Sequence, residues 1–282
     1  MKNTPLFYLL YLSINLSCSN TNGKDIDNKK TIDSIREHHY NDVLLDKKPT
    51  KFNIDNINNK ESNSEIINDS LFQDEIDNSV SNSFKNKDAK YLDEAISKIK
   101  NDNKIEKEYK TYWISYILFH KSLFYKNIIK DDSNASKYID ESLNMLEDNL
   151  NTSEDYALYA YCLSFSIQFA NMTQLSKIST EVINMANKSL ELNSKNVRAY
   201  LVLTSNNFYT PKMFGGMNKV EEYAIKGLKL PSSTTNNFYD PYWGKPRLYE
   251  FLIDYYNLNN QKVDADRIKV DAKKEFSNYF NK

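Results

Sequence analysis

From residue 88 to the end of the chain, apolar side chains return with the 3.6-residue period of an α-helix, block after block. Tyr91, Leu92, Ala95, Ile96 and Ile99 form the first stripe. Further stripes predict helices over 106–127, 134–149, 153–171, 174–192, 196–209, 220–230, 246–258 and 261–280. The block at 106–127 is apolar around most of its circumference, so it must be packed on more than one side. Thr152-Ser153-Glu154-Asp155 places a hydroxyl cap and acids where a helix N-terminus favours them. No alternating β-branched run of useful length interrupts the series. Only 5 Gly and 6 Pro occur, which disfavours a chain of many tight β-turns.

Longer and shorter helices alternate, and the paired unit recurs at roughly 40–47 residues, the spacing of a helical-hairpin array. Each hairpin has an apolar face that only its neighbour can cover. The expected fold is therefore all-α, an array of antiparallel helix hairpins over 87–282. The stretch 18–86 differs. Asn, Asp, Ser and Lys dominate it, as in Asn53-Ile54-Asp55-Asn56-Ile57-Asn58-Asn59-Lys60, and its apolar residues are scattered. Such a segment buries too little apolar surface to offset chain entropy and reads as a disordered tether. A short helix within 65–76 is the exception it allows.

The N-terminus carries an address. Lys2 precedes an apolar run from Leu6 to Leu16, the length of a signal-peptide core and too short to span a bilayer. The run ends at Leu16-Ser17-Cys18. This resembles a bacterial lipoprotein signal, although Asn15 stands where that pattern prefers an aliphatic residue. The resemblance implies a signal peptide over 1–17, lipidation at Cys18, and a lipid-anchored protein of the cell envelope, on the outer membrane and facing the periplasm. Without lipid on Cys18 the chain would be secreted. Cys162 is then the remaining cysteine, too few for a disulfide framework, and its apolar neighbours suggest a buried thiol.

Lys and Arg number 37 against 38 Asp and Glu, a balance that argues against a nucleic-acid binder. No catalytic motif is present, and the paired His38 and His39 meet no metal-ligand spacing. The chemistry therefore predicts no enzyme, no cofactor and no metal. Carboxylates such as Glu154 and Glu221 are explained by helix charge balance. Tyr is abundant, 21 residues against 2 Trp, and is either helix-packing filler or the lining of a binding surface. The candidate groove lining is Tyr112, Tyr116, Tyr159, Tyr200 and Asn207. Gly215-Gly216 after Phe214 and Gly244 after Trp243 read as structural turns, with Phe214 packing back into its hairpin.

Two further stretches carry a resemblance. Ala186 to Tyr200, with Leu190, Leu192 and Ala199 in register, is similar to a tetratricopeptide-repeat junction, and Ala224, Leu228, Leu230 and Pro231 repeat its ending. The units exceed that family's length of about 34 residues. Tyr209-Thr210-Pro211-Lys212-Met213-Phe214-Gly215-Gly216 resembles a hairpin of tetratricopeptide-like bacterial envelope proteins, some of which serve tripartite solute transporters. The resemblance implies a right-handed helical solenoid with a concave groove that binds a protein or peptide partner. The alternative it implies is a small-molecule-binding accessory protein of a transporter.

Overall fold

The computed structural model describes residues 71–171, 173–233 and 237–280. The leader, Cys18 and most of the expected tether lie outside them. The described residues are helical, with no strand among them. They form five hairpins in chain order, α1 (Phe72–Asn86) with α2 (Lys90–Asn101), α3 (Lys107–Phe124) with α4 (Asp132–Glu147), α5 (Ser153–Ser166) with α6 (Leu175–Leu192), α7 (Val197–Tyr209) with α8 (Val220–Leu228), and α9 (Lys245–Leu258) with α10 (Lys262–Glu275). A last turn of helix, α11 (Ser277–Phe280), follows.

The first hairpin corrects the expected boundary at residue 86. Helix α1 lies within the stretch read as tether, yet Phe72, Ile76, Val80 and Phe84 are all buried. Their fourfold spacing makes one narrow apolar seam that lies against α2 and α3. Asp74 closes the N-terminus of the helix by accepting the Leu71 N–H at 3.0 Å. At the other end Lys87 takes a left-handed conformation, φ 53°, and turns the chain into α2.

The odd-numbered helices form one layer. Each packs on the next, α1 on α3, α3 on α5, α5 on α7 and α7 on α9, while each even-numbered helix packs on the helices before and after it. The odd helices run parallel. Phe72 meets the Trp113 ring and Phe84 meets Phe124. Phe119 meets Phe165, and Glu154 meets Arg198, each near matching ends of neighbouring helices. Tyr256, late in α9, reaches Glu221 at the start of α8, so α9 runs antiparallel to α8 and parallel to α7. This topology puts every turn from an odd to an even helix along one edge of the array, and every return along the other.

Helix α3 is the centre of the first half. Buried residues cover all sides of it from Thr111 to Phe124, Lys121 included, and Trp113 and Ile117 are fully enclosed. That follows from its position, covered by α1 and α2 on one side and α4 and α5 on the other. The junction of α5, α6 and α7 is fixed by a buried polar knot. Ser153 Oγ and Ser189 Oγ each donate to the other's backbone carbonyl, at 2.8 and 2.7 Å, and Asn196 Nδ2 donates to Ser153 Oγ at 2.9 Å. The Asn196 carbonyl oxygen of the side chain caps α7 by accepting the Arg198 and Ala199 N–H groups.

Candidate functional site

The inner face of the odd-helix layer is where a helical array usually offers a groove. Here the chain fills it. The connection between α8 and α9 returns across α1, α3 and α7, and residues 237–243 form a strap over the centre of that face. Trp113 Nε1 donates to the Tyr239 carbonyl at 2.8 Å, and Tyr109 Oη donates to Asp240 at 2.8 Å. The backbone N–H groups of Tyr242 and Trp243 both donate to Gln73 Oε1, at 2.8 and 3.1 Å. Tyr242 Oη donates to Asp74. Trp243 Nε1 donates to Tyr112 Oη at 2.9 Å, and its ring rests between those of Tyr116 and Tyr161.

Arg198 fastens the strap at its Trp243 end and also holds Ser232, earlier in the same connection. Its side chain is 1 % exposed and bonds Glu154 twice, Nε to Oε2 at 2.5 Å and Nη2 to Oε1 at 2.7 Å. Nη1 donates to the Ser232 carbonyl at 2.9 Å and to the Trp243 carbonyl at 3.1 Å. Burial works against its charge, but the Glu154 carboxylate overcomes that and raises its pKa. A planar fork that meets one carboxylate and two carbonyls is a task for Arg, and Lys could not span it.

These contacts place the candidate groove residues. Tyr112 and Tyr116 are buried under the strap rather than open to a ligand. Burial pushes both hydroxyls well above the usual tyrosine range. Tyr159 is buried and its hydroxyl points to Glu181 of α6 at 3.5 Å. Tyr200 is half-buried against Gly227 of α8. Asn207 holds a turn, its Nδ2 donating to the Gly215 carbonyl at 3.1 Å and its Oδ1 accepting the Lys219 N–H at 2.8 Å. The five therefore do not line one surface. The hydroxyls of Tyr112, Tyr116 and Tyr159 and the amide of Asn207 bond within the protein.

The turn residues separate differently. Gly215 has φ 82°, and a Cβ on Gly216 would lie 1.7 Å from the Thr210 carbonyl oxygen, so only Gly fits this reversal. Phe214 does not pack back. It is 58 % exposed and Met213 is 63 % exposed, because the clamped Gly pair aims both outward. Gly244 adopts φ 113° as the chain leaves the strap for α9. Glu154 also departs from expectation, since it serves Arg198 and not merely the helix charge.

A second, open site lies on the far side of α3. Helices α2 and α4 both rest on α3, and the space between them is a groove of about 610 Å³. Ile96, Ile114, Leu118 and Met145 make its apolar floor, and Asp93, Lys100, Glu141 and Asp148 stand along its rims. Lys121 closes one end, bonded to Asp93 and seated 4.2 Å above the Tyr138 ring. Burial disfavours its charge, yet Asp93 and Tyr138 together raise its pKa and keep it protonated. A smaller space of about 100 Å³ lies beside Thr111 and Asp155.

Among the described residues, no three His, Cys, Asp or Glu side chains gather as metal ligands would, and no helix is long and apolar enough to cross a membrane. Cys162 is buried, and burial pushes its thiol up to about 12. No family model, no curated protein and no solved structure matches this chain.

Proposed function

We propose that this chain is a non-enzymatic, membrane-anchored scaffold of the cell envelope that holds a protein segment in the groove between α2 and α4. The groove itself carries the proposal. It combines an apolar floor with charged rims, is open rather than enclosed, and runs between two exposed helices. A segment with apolar side chains on one face and polar groups beside them fits it, since Asp93 pairs with Lys121 and Glu141 with Lys137, which leaves Asp148 and Lys100 on the rims to meet a partner's polar groups. The open shape favours a segment over a small metabolite, which a site would normally surround on most sides. The membrane anchor rests on the lipoprotein-like leader and Cys18.

The test is site-specific photocrosslinking in the native cell envelope. A photoreactive side chain at Asn144, exposed on the groove rim, should yield one dominant adduct, and Glu141→Lys with Asp148→Lys should suppress it. The same probe at Val270, on the outer face of α10, should yield none. Equal labelling from both positions, or an adduct indifferent to the two charge reversals, would reject the groove as the binding site.

A further inference from the structure

The edge formed by the odd-to-even turns has a composition that neither the strap nor the groove uses. Four of the large apolar side chains that stand exposed are here, Ile129 at 47 %, Met213 at 63 %, Phe214 at 58 % and Val263 at 85 %. They come from three different turns, between α3 and α4, α7 and α8, and α9 and α10. Packed helices stand about 10 Å apart, so these side chains are spread along the edge rather than gathered in one patch.

Lysines stand among them. Lys130, Lys212, Lys219 and Lys262 are exposed in or beside the same turns, and Lys87 is exposed in the turn between α1 and α2. None is within ion-pair distance of a described carboxylate. The carboxylates of these turns are engaged instead. Asp88 accepts the Lys90 N–H at 3.0 Å, and Asp131 caps α4 through the Asn134 N–H at 3.0 Å. Asp132 pairs with Lys126 at 2.8 Å, and Asp264 pairs with Arg267 at 2.9 Å. Hydrogen-bonded Asp88 and Asp131 keep their charge and offset Lys90 and one of the five lysines, so the edge is left with a modest surplus of positive charge. The Gly215-Gly216 reversal and the Asn207 clasp hold Met213 and Phe214 in their outward pose, so little ordering remains for binding to supply.

We propose that this edge docks on an anionic phospholipid surface, with Phe214, Met213, Ile129 and Val263 entering the interface and the five lysines meeting the headgroups. A protein partner needs a contiguous, well-packed patch of about 800 Å² on each side. Separate apolar points with cations between them suit a fluid surface, which receives each side chain on its own. This contact is distinct from any lipid on Cys18, and it would orient the domain with the returns from even to odd helices facing away from the bilayer.

The experiment uses residues 19–282, which omit the apolar leader and keep every described residue. Flotation is measured with phosphatidylcholine vesicles, with and without 30 % phosphatidylglycerol. The chain should float with the anionic vesicles and bind the neutral ones at least tenfold more weakly. Met213→Ser with Phe214→Ser should weaken anionic binding about tenfold. Each of Lys130→Ala, Lys212→Ala and Lys262→Ala should weaken it roughly fivefold. Val270→Ser, exposed but away from this edge, should change nothing. Because the substituted side chains are exposed, melting temperatures should stay level, and Phe214→Trp gives a second readout through a blue shift in emission on anionic vesicles. Absence of flotation, flotation unaffected by the tip substitutions, or a tip that drives self-association while leaving vesicle binding unchanged would each overturn the proposal.

Discussion

Replacing Arg198 by Met removes the fastening of the strap while keeping the bulk of the side chain. The wild-type guanidinium makes two bonds to Glu154 and one each to the Ser232 and Trp243 carbonyls. Breaking a buried ion pair by deleting one partner costs about 3–5 kcal/mol. Each carbonyl left without its donor adds about 1–3 kcal/mol if it stays dry. The connection can relieve that second cost by lifting these carbonyls into water, and Glu154, 23 % exposed, can recover some hydration. The expected loss is therefore about 4 kcal/mol, a large part of the 5–15 kcal/mol that a domain has. Urea unfolding followed by circular dichroism measures it. A double-mutant cycle with Glu154→Gln should show the two losses to be strongly non-additive, since both remove the same pair. A loss below about 1 kcal/mol, or additive effects of the two substitutions, would refute the reading of Arg198 as the fastening.

Tyr112→Phe should cost about 1–2 kcal/mol because it strands the half-buried Trp243 N–H, whereas Tyr116→Phe, whose bond to Asp77 is 3.3 Å long, should cost less; thermal melts compare them. Gly216→Ala should destabilise by about 2 kcal/mol or more, since the new Cβ meets the backbone of Thr210, and the same melts read it. Burial raises Tyr159, Tyr161 and Tyr256 to about 12, and Cys162 likewise. The folded state thus favours their neutral forms. That stability is complete below the unfolded values near 9–10 and is lost as pH rises toward 12, so the share of tyrosinate absorbance that belongs to these buried residues should appear together with unfolding. Full titration of a protein that stays folded would contradict it. Cys162 should resist alkylation at pH 8 in the folded state and react readily in urea.

The expected helices after residue 88 match the observed ones closely because their burial is local in origin. A stripe such as Leu92, Ile96 and Ile99 needs only a neighbour to cover it, and the next hairpin supplies one. Helix α1 was hidden by its composition. Asn, Ser and Asp surround one apolar residue per turn, and only the regular spacing of Phe72, Ile76, Val80 and Phe84 marks it. Arg198 left a legible trace. A cation in the first turn of a helix, between the buried Val197 and Ala199, opposes the helix dipole and so requires a carboxylate from elsewhere. The strap left none, because its partners lie far away in sequence, as Gln73 does from Trp243. The groove was equally out of reach. Ile96, Ile114 and Met145 belong to ordinary amphipathic helices, and only the way α2 and α4 sit apart on α3 leaves a gap.

The occupation of the inner face by residues 237–243 closes the surface where a helical array would offer a groove, and hydrogen exchange tests it most directly. The amide protons of Tyr242 and Trp243, both donated to Gln73, should exchange as slowly as those in the middle of α3. Exchange as fast as that of the exposed Met213 turn would mean that the strap does not hold and that the inner face is open.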